Sequence, residues 1–184
     1  MKGRQQPDER TVTAWHEAGH AVVGMATTGN VASATVEATG DALGWVDRER
    51  LEWSTAEQLA ARRHELSPGR FLLGALAAAR FAIAGNAAEG ILQRRTVETW
   101  SPPDHRSALE FCGLIHPDAT RIVFERECTA TRRWLLQHRA HISAIATALL
   151  THGTVDREGL RCAIEALPFP VMIGSLRAAA RFYR

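Results

Sequence analysis

The pattern of apolar and polar positions along the chain predicts a mainly helical protein. Apolar residues recur at three- and four-residue spacing over long stretches, which is typical of helices that bury one face. Caps, glycines and prolines delimit these stretches. The predicted helices run from Thr11 or Thr13 to about Thr28, from Ser54 to about Leu66, from Arg70 to about Gln93 with a kink at Gly85, from Ser101 onward, from His116 through about Leu150 as one helix or two, and from Asp156 to Leu167.

One segment departs from the helical pattern. Between Val31 and about Arg48, β-branched residues form two short runs separated by Thr39-Gly40-Asp41. Two such runs around a Gly-containing turn predict a small β-hairpin. We therefore expect a mainly α fold with one small hairpin next to the first helix.

Composition favours one domain with its own core, because the chain has 184 residues of which 46% are apolar. The most apolar run, Phe71 to Gly85, contains Arg80 and is shorter than the roughly 20 residues that span a bilayer, so we expect a core helix and no membrane span. Residues 1–10 form a polar lead without the apolar centre of a secretion signal. We expect one domain over residues 11–167 and a tail over residues 168–184.

Charge and cysteine content exclude some classes of function. The 22 basic and 20 acidic residues leave a net charge of +2, and the arginines between positions 121 and 139 alternate with Glu125, Glu127 and apolar residues. This is typical of a solvated helix face rather than a nucleic-acid surface. Cys112, Cys128 and Cys162 are widely spaced, which argues against a disulfide framework and favours a reducing, cytoplasmic location.

The candidate chemistry lies in the first predicted helix, where residues 16–20 read His-Glu-Ala-Gly-His. On a helix, His16 and His20 project from the same face and can present two ring nitrogens to one tetrahedral ion such as zinc. Glu17 stands beside them, where it is suited to take a proton from an attacking water. The competing interpretation is a histidine pair that only packs, because a catalytic zinc ion needs a third protein ligand.

Sequence reasoning leaves the third ligand open. Position 26 is Ala26, which excludes the pattern in which a third histidine follows closely. The remaining candidates are Glu37, Asp41, Glu89, Asp104 and His105. Glu89 in an alanine-rich helix and Asp104 in a proline-initiated first turn are both held rigidly, and composition does not choose between them.

Four segments in this order resemble the peptidase domain of the FtsH-type membrane-anchored AAA proteases. They are TAWHEAGHAVVG from Thr13, VASATVEATGDALGWV from Val31, AGNAAEGIL from Ala84 and ETWSPPDHRSALEFC from Glu98. The resemblance implies a helical, zincin-like peptidase domain in which His16, His20 and Asp104 bind zinc and Glu17 is the general base. It also makes Glu89 a candidate for orienting a histidine ring, with a packing carboxylate as the alternative.

The chain also departs from that family. Trp100-Ser101-Pro102-Pro103 replaces a small flexible loop before the zinc aspartate, Asn86 and Gly90 replace an arginine and a glutamate, and no nucleotide-binding P-loop occurs in the sequence. His105, next to Asp104, is an alternative ligand.

The function that we expect is a zinc-dependent endopeptidase acting on unfolded or loosely folded polypeptides. The hairpin edge from Leu43 to Val46 either pairs with an extended substrate or is only structural. A separate ATPase and a homo-oligomer are the partners that the resemblance leaves open. The alternative function is a non-catalytic binding or assembly module that keeps the fold and the metal.

Overall fold

The computed structural model of the chain describes residues 7–29, 31–38, 43–48, 54–94 and 100–183. These residues form a mainly helical fold with a small sheet, which confirms the predicted fold class at that level. The helices are α1 (Glu9–Thr27), α2 (Ala56–Ala61), α3 (Pro68–Gln93), α4 (Pro102–Ile115), α5 (Thr120–Gln137), α6 (Arg139–His152), α7 (Arg157–Ala163) and α8 (Ile173–Phe182). The strands are β1 (Val31–Thr35), β2 (Trp45–Arg48) and β3 (Thr154–Asp156), and a short 3-10 turn covers Pro117–Ala119.

Helix α3 is the centre of the core and packs against α1, α4, α5 and α8. It is long and apolar enough to cross a membrane, but 67% of its most apolar window is buried inside the protein. Arg80 of α3 and Glu127 of α5 form a buried ion pair with 2.6 Å between Nε and Oε2. This burial agrees with the predicted core helix, and the helix continues through Gly85 without a break.

Helices α1 and α3 approach each other closely because small residues face one another where they cross. A Cβ at Gly19 would lie 2.6 Å from the carbonyl oxygen of Ala84 and 2.7 Å from the Cβ of Ala88. A glycine in a helix costs about 1 kcal/mol relative to alanine. The close crossing explains why residue 19 is a glycine. It also brings side chains on the facing surfaces of α1 and α3 close enough to form one site.

The predicted hairpin is present as the antiparallel pair of β1 and β2, and the sheet order is β2-β1-β3. Strand β3, which the sequence pattern did not predict, pairs antiparallel with Ser33–Thr35 of β1. It has only three residues, so its pairing depends on partners far away in the chain rather than on its own pattern. The predicted turn at Thr39-Gly40-Asp41 lies outside the described residues.

Several predicted boundaries are wrong. Helix α1 begins earlier than predicted, because Asp8 rather than Thr11 or Thr13 is its N-cap and accepts a 2.7 Å hydrogen bond from the Thr11 backbone N–H. The helix predicted from Ser54 to about Leu66 is the shorter α2, and its capping box consists of Thr55 and Gln58.

The segment predicted only as a tail contains α8, whose Leu176 and Ala180 are buried. It is anchored by a hydrogen bond from the core, in which Arg80 Nη1 donates to Ser175 Oγ at 2.7 Å. The C-terminal segment is therefore part of the packed structure rather than an appendage.

All three cysteines are free, as the sequence predicted. Burial raises the pKa of the Cys112 thiol to about 12, and it does the same for the Cys128 thiol. Cys162 is exposed on α7.

Candidate metal centre

Two helices, α1 and α4, bring His16, His20 and Asp104 together. His16 and His20 lie one turn apart on α1, and Asp104 lies in the first turn of α4. The His16 Nε2 atom is 3.0 Å from His20 Nε2 and 3.0 Å from Asp104 Oδ2. His20 Nε2 is 3.4 Å from the same oxygen. These three atoms form a group that could hold a metal ion.

The spacing of the three atoms suits a small tetrahedral ion. Zinc bonds of about 2.0–2.1 Å at tetrahedral angles place neighbouring ligand atoms about 3.3 Å apart. The observed separations are 3.0, 3.0 and 3.4 Å. Two imidazole nitrogens and one carboxylate oxygen are also a donor set that catalytic zinc sites use, with the fourth position left for water or substrate.

The other ring nitrogen of each histidine has a partner that requires it to be a donor. His20 Nδ1 donates to the carbonyl oxygen of Phe81 at 2.8 Å, because a carbonyl oxygen only accepts. His16 Nδ1 donates to Glu89 Oε1 at 2.6 Å. In their neutral forms both rings therefore point Nε2 lone pairs at each other and at the Asp104 carboxylate, which is the arrangement that outer hydrogen bonds impose on metal-binding histidines.

Three electron-rich atoms at this distance attract a cation. Burial lowers the pKa of His16, but hydrogen bonds with Asp104 and Glu89 outweigh it and raise that pKa to about 10 in the metal-free protein. For Asp104, burial raises the pKa, while hydrogen bonds with His16 and His20 more than compensate and hold it below its usual range. Both shifts favour a positive charge among these atoms, as a bound metal ion would supply.

Gly85 of α3 leaves room for such an ion. A Cβ at this position would lie 2.4 Å from His16 Nε2 and 2.5 Å from His20 Nε2. Those distances are far below ordinary carbon–nitrogen contact distances. A side chain at residue 85 would therefore fill the space between the two ligand atoms, whereas a hydrogen keeps it open.

Glu17 lies beside the ligands without joining them. Its side chain is 6% exposed, and burial raises its pKa, against the opposing charges of His20 and His16. On its other side lies the hairpin, where a Cβ at Gly44 would be 2.9 Å from Glu17 Cγ and 3.0 Å from Oε1. A carboxylate that is buried, raised in pKa and held in place has the properties of a general base.

The remaining ligand candidates have other surroundings. Glu89 contacts a histidine ring from outside the ligand group. His105 packs against the rings of Trp100 and Phe124 and does not belong to the group. Glu37 is exposed on the chain after β1, and Asp41 lies outside the described residues.

Sequence reasoning missed two parts of the site, the Phe81 carbonyl and Gly85. The carbonyl belongs to the backbone, so no residue type marks it. Gly85 carries a weak signal, since a glycine within an alanine-rich helix needs a packing or functional reason.

No protein-family model matches the chain, and a search of curated proteins finds no significant similarity.

Proposed function

We propose that the protein is a zinc-dependent endopeptidase of the kind that the FtsH-type peptidase domains represent. The observation that carries the proposal is the convergence of His16 Nε2, His20 Nε2 and Asp104 Oδ2 within 3.0–3.4 Å of one another, with the buried Glu17 adjoining them. A site that served only to brace the fold would close its fourth position with another ligand and would not need a base.

In this proposal three residues bind the metal ion and a fourth transfers protons. His16, His20 and Asp104 hold zinc, which supplies Lewis acidity when bound, polarising a carbonyl and lowering the pKa of water. Glu17 accepts a proton from the attacking water at its carboxylate and returns that proton to the leaving amine. Its raised pKa favours this exchange because a base works best when its pKa is close to the working pH.

The edge of the sheet supports a substrate in extended conformation. Among the described residues β2 pairs only with β1, so its other edge has no strand partner in the described sheet. Gly44, which precedes β2, lies next to Glu17, since a Cβ at this position would be 2.9 Å from Glu17 Cγ. Its neighbours Leu43 and Trp45 are 53% and 44% exposed. An added strand would run past the general base, and only unfolded or loosely folded chains have such backbone to offer.

The test measures bound zinc and the degradation of casein, which has little stable structure. We compare the wild type with Glu17→Gln, which keeps the size of the side chain but removes the base. Glu125→Gln is the matched control, because Glu125 forms only an exposed pair with Arg121. We expect stoichiometric zinc in all three proteins, degradation by the wild type and the control, and a loss of about 100-fold or more in Glu17→Gln.

Equal degradation by the wild type and Glu17→Gln would refute the peptidase proposal. Zinc without degradation by any of the proteins would instead support the non-catalytic module. A second assay uses a folded substrate and tests the separate ATPase. We expect degradation of this substrate only when an ATPase that unfolds it is also present.

A further inference from the structure

We propose that a cluster of three aromatic rings positions Asp104 for the metal ion. His105 belongs to this cluster and is not a metal ligand. The rings are those of Trp100, His105 and Phe124, which we call the aromatic clamp. The inference rests on the zinc site of the proposed function but not on peptidase activity.

The first turn of α4 lacks the usual means of fixing a helix start. Its N-cap, Ser101, makes no side-chain capping hydrogen bond, and prolines occupy the next two positions. Prolines carry no backbone N–H, so this turn offers few donors for a cap to bind. Asp104 has a carboxylate in the first turn, where it would ordinarily interact with the backbone of its own helix, yet it is directed at His16 and His20.

The three rings of the clamp contact one another at this turn. The centroid of the His105 ring is 5.5 Å from that of Trp100 and 5.3 Å from that of Phe124. Trp100 and Phe124 are 5.2 Å apart, which closes the triangle. All three distances lie in the range of favourable aromatic pairs. The clamp therefore joins the chain before α4, the first turn of α4 and helix α5.

The clamp is also connected to the helix that forms the floor of the metal centre. Trp100 and Phe124 pack against a buried cluster of Ala82, Ile83 and Ala108. Ala82 and Ile83 lie on α3 between Phe81, whose carbonyl orients His20, and Gly85, which leaves space for the ion. Helix α3 therefore packs against the rings beside Asp104 and also carries Phe81 and Gly85, which contact the site of the two histidines.

Adjacent helical residues point about 100° apart, so Asp104 and His105 serve different neighbours. Asp104 reaches the histidines of α1, while His105 packs between Trp100 and Phe124. If the ring of His105 is removed, the turn loses two of the three clamp contacts. Asp104 then has more freedom and its oxygen spends less time within bonding range of both histidines.

The experiment measures the zinc dissociation constant by competition with a chromophoric chelator. The variants are His105→Ala, which removes the ring, and His105→Phe, which keeps a ring without metal-binding nitrogens. Cys112→Ala is the control, because it removes a buried side chain from the same helix without removing any of the three rings. Changes in the outer shell of metal sites weaken affinity by about 10–100-fold, so we expect about a tenfold loss in His105→Ala and near wild-type affinity in His105→Phe.

The outcomes separate the alternatives. If His105→Phe loses as much affinity as His105→Ala, His105 is a ligand and the clamp is refuted. If His105→Ala lowers the melting temperature as Cys112→Ala does but leaves zinc affinity unchanged, the rings only pack and the clamp is again refuted. A wild type that binds no zinc refutes the metal centre itself. Should His105→Ala fail to fold, Trp100→Leu removes the clamp from its other side and is expected to weaken zinc similarly.

Discussion

Replacing Gly85 with alanine tests the metal centre most directly, because the change adds one methyl group where the ion is expected. The new Cβ would lie 2.4 Å from His16 Nε2 and 2.5 Å from His20 Nε2. Neither ring can simply turn away, since Glu89 holds one at 2.6 Å and the Phe81 carbonyl holds the other at 2.8 Å. The variant must therefore break an orienting hydrogen bond or shift a helix.

The expected effects on zinc binding and on folding differ in size. Outer hydrogen bonds alone contribute about 10–100-fold to metal affinity. A methyl group between two ligands should cost at least the upper end of that range, which is about 2.8 kcal/mol at about 1.4 kcal/mol per tenfold. In the metal-free protein, alanine gains about 1 kcal/mol of helix propensity, while crowding costs about 1–3 kcal/mol. Stability should thus change by no more than about 2 kcal/mol.

The assay combines zinc competition titration with urea unfolding of the chelator-treated protein. Gly113→Ala is the matched control, because the same change on α4 would bring Cβ only to 3.5 Å from Thr120 Oγ1, an ordinary contact. The control should bind zinc like the wild type. If Gly85→Ala folds and binds zinc within about threefold of the wild type, the position assigned to the ion is wrong.

Four further outcomes follow from the contacts. Glu89→Gln weakens the orienting bond to a histidine and should raise the zinc dissociation constant about tenfold, measured by the same titration. Gly44→Ala should keep zinc but lose casein degradation, because its Cβ would crowd the general base; unchanged degradation would contradict this. Arg80→Met leaves the buried Glu127 carboxylate without its ion partner and should lower the free energy of unfolding by about 3–5 kcal/mol in urea, with substantial recovery when Glu127→Leu is added. At pH 8 a thiol reagent should modify one cysteine quickly, the exposed Cys162, because burial keeps the other two thiols protonated; fast reaction of all three in folded protein would show that the core is open.

The parts of the protein that the sequence predicts well are those set by neighbours along the chain. His16 and His20 share a face because a helix repeats every 3.6 residues, so the pair could be recognised from spacing alone. The hairpin likewise follows from β-branched runs around a turn. In both cases the interacting residues lie in one short stretch of chain, one helical turn apart for the histidines and no farther apart than Val31 and Arg48 for the hairpin.

The tail shows where that reasoning fails. Helix α8 has an apolar stripe with Leu176 and Ala180 buried, but the sequence pattern predicted only a tail over residues 168–184. Its place is decided by contacts with α3, which adds a hydrogen bond from Arg80 to Ser175. Burial against a distant helix outweighs a weak local signal.

The third ligand depended most on tertiary structure. Reasoning from the residues alone left Glu89 and Asp104 as equal candidates, because each stands at a rigid helical position. His105 was an alternative, and only the family resemblance selected Asp104. The close crossing of α1 and α3 at Gly19 places Glu89 on the far side of the His16 ring. The start of α4 places the Asp104 oxygen near the Nε2 atoms of both histidines and His105 in an aromatic cluster. Local periodicity determined which residues could bind a metal, and only the packing of helices far apart in the chain decided which of them meet.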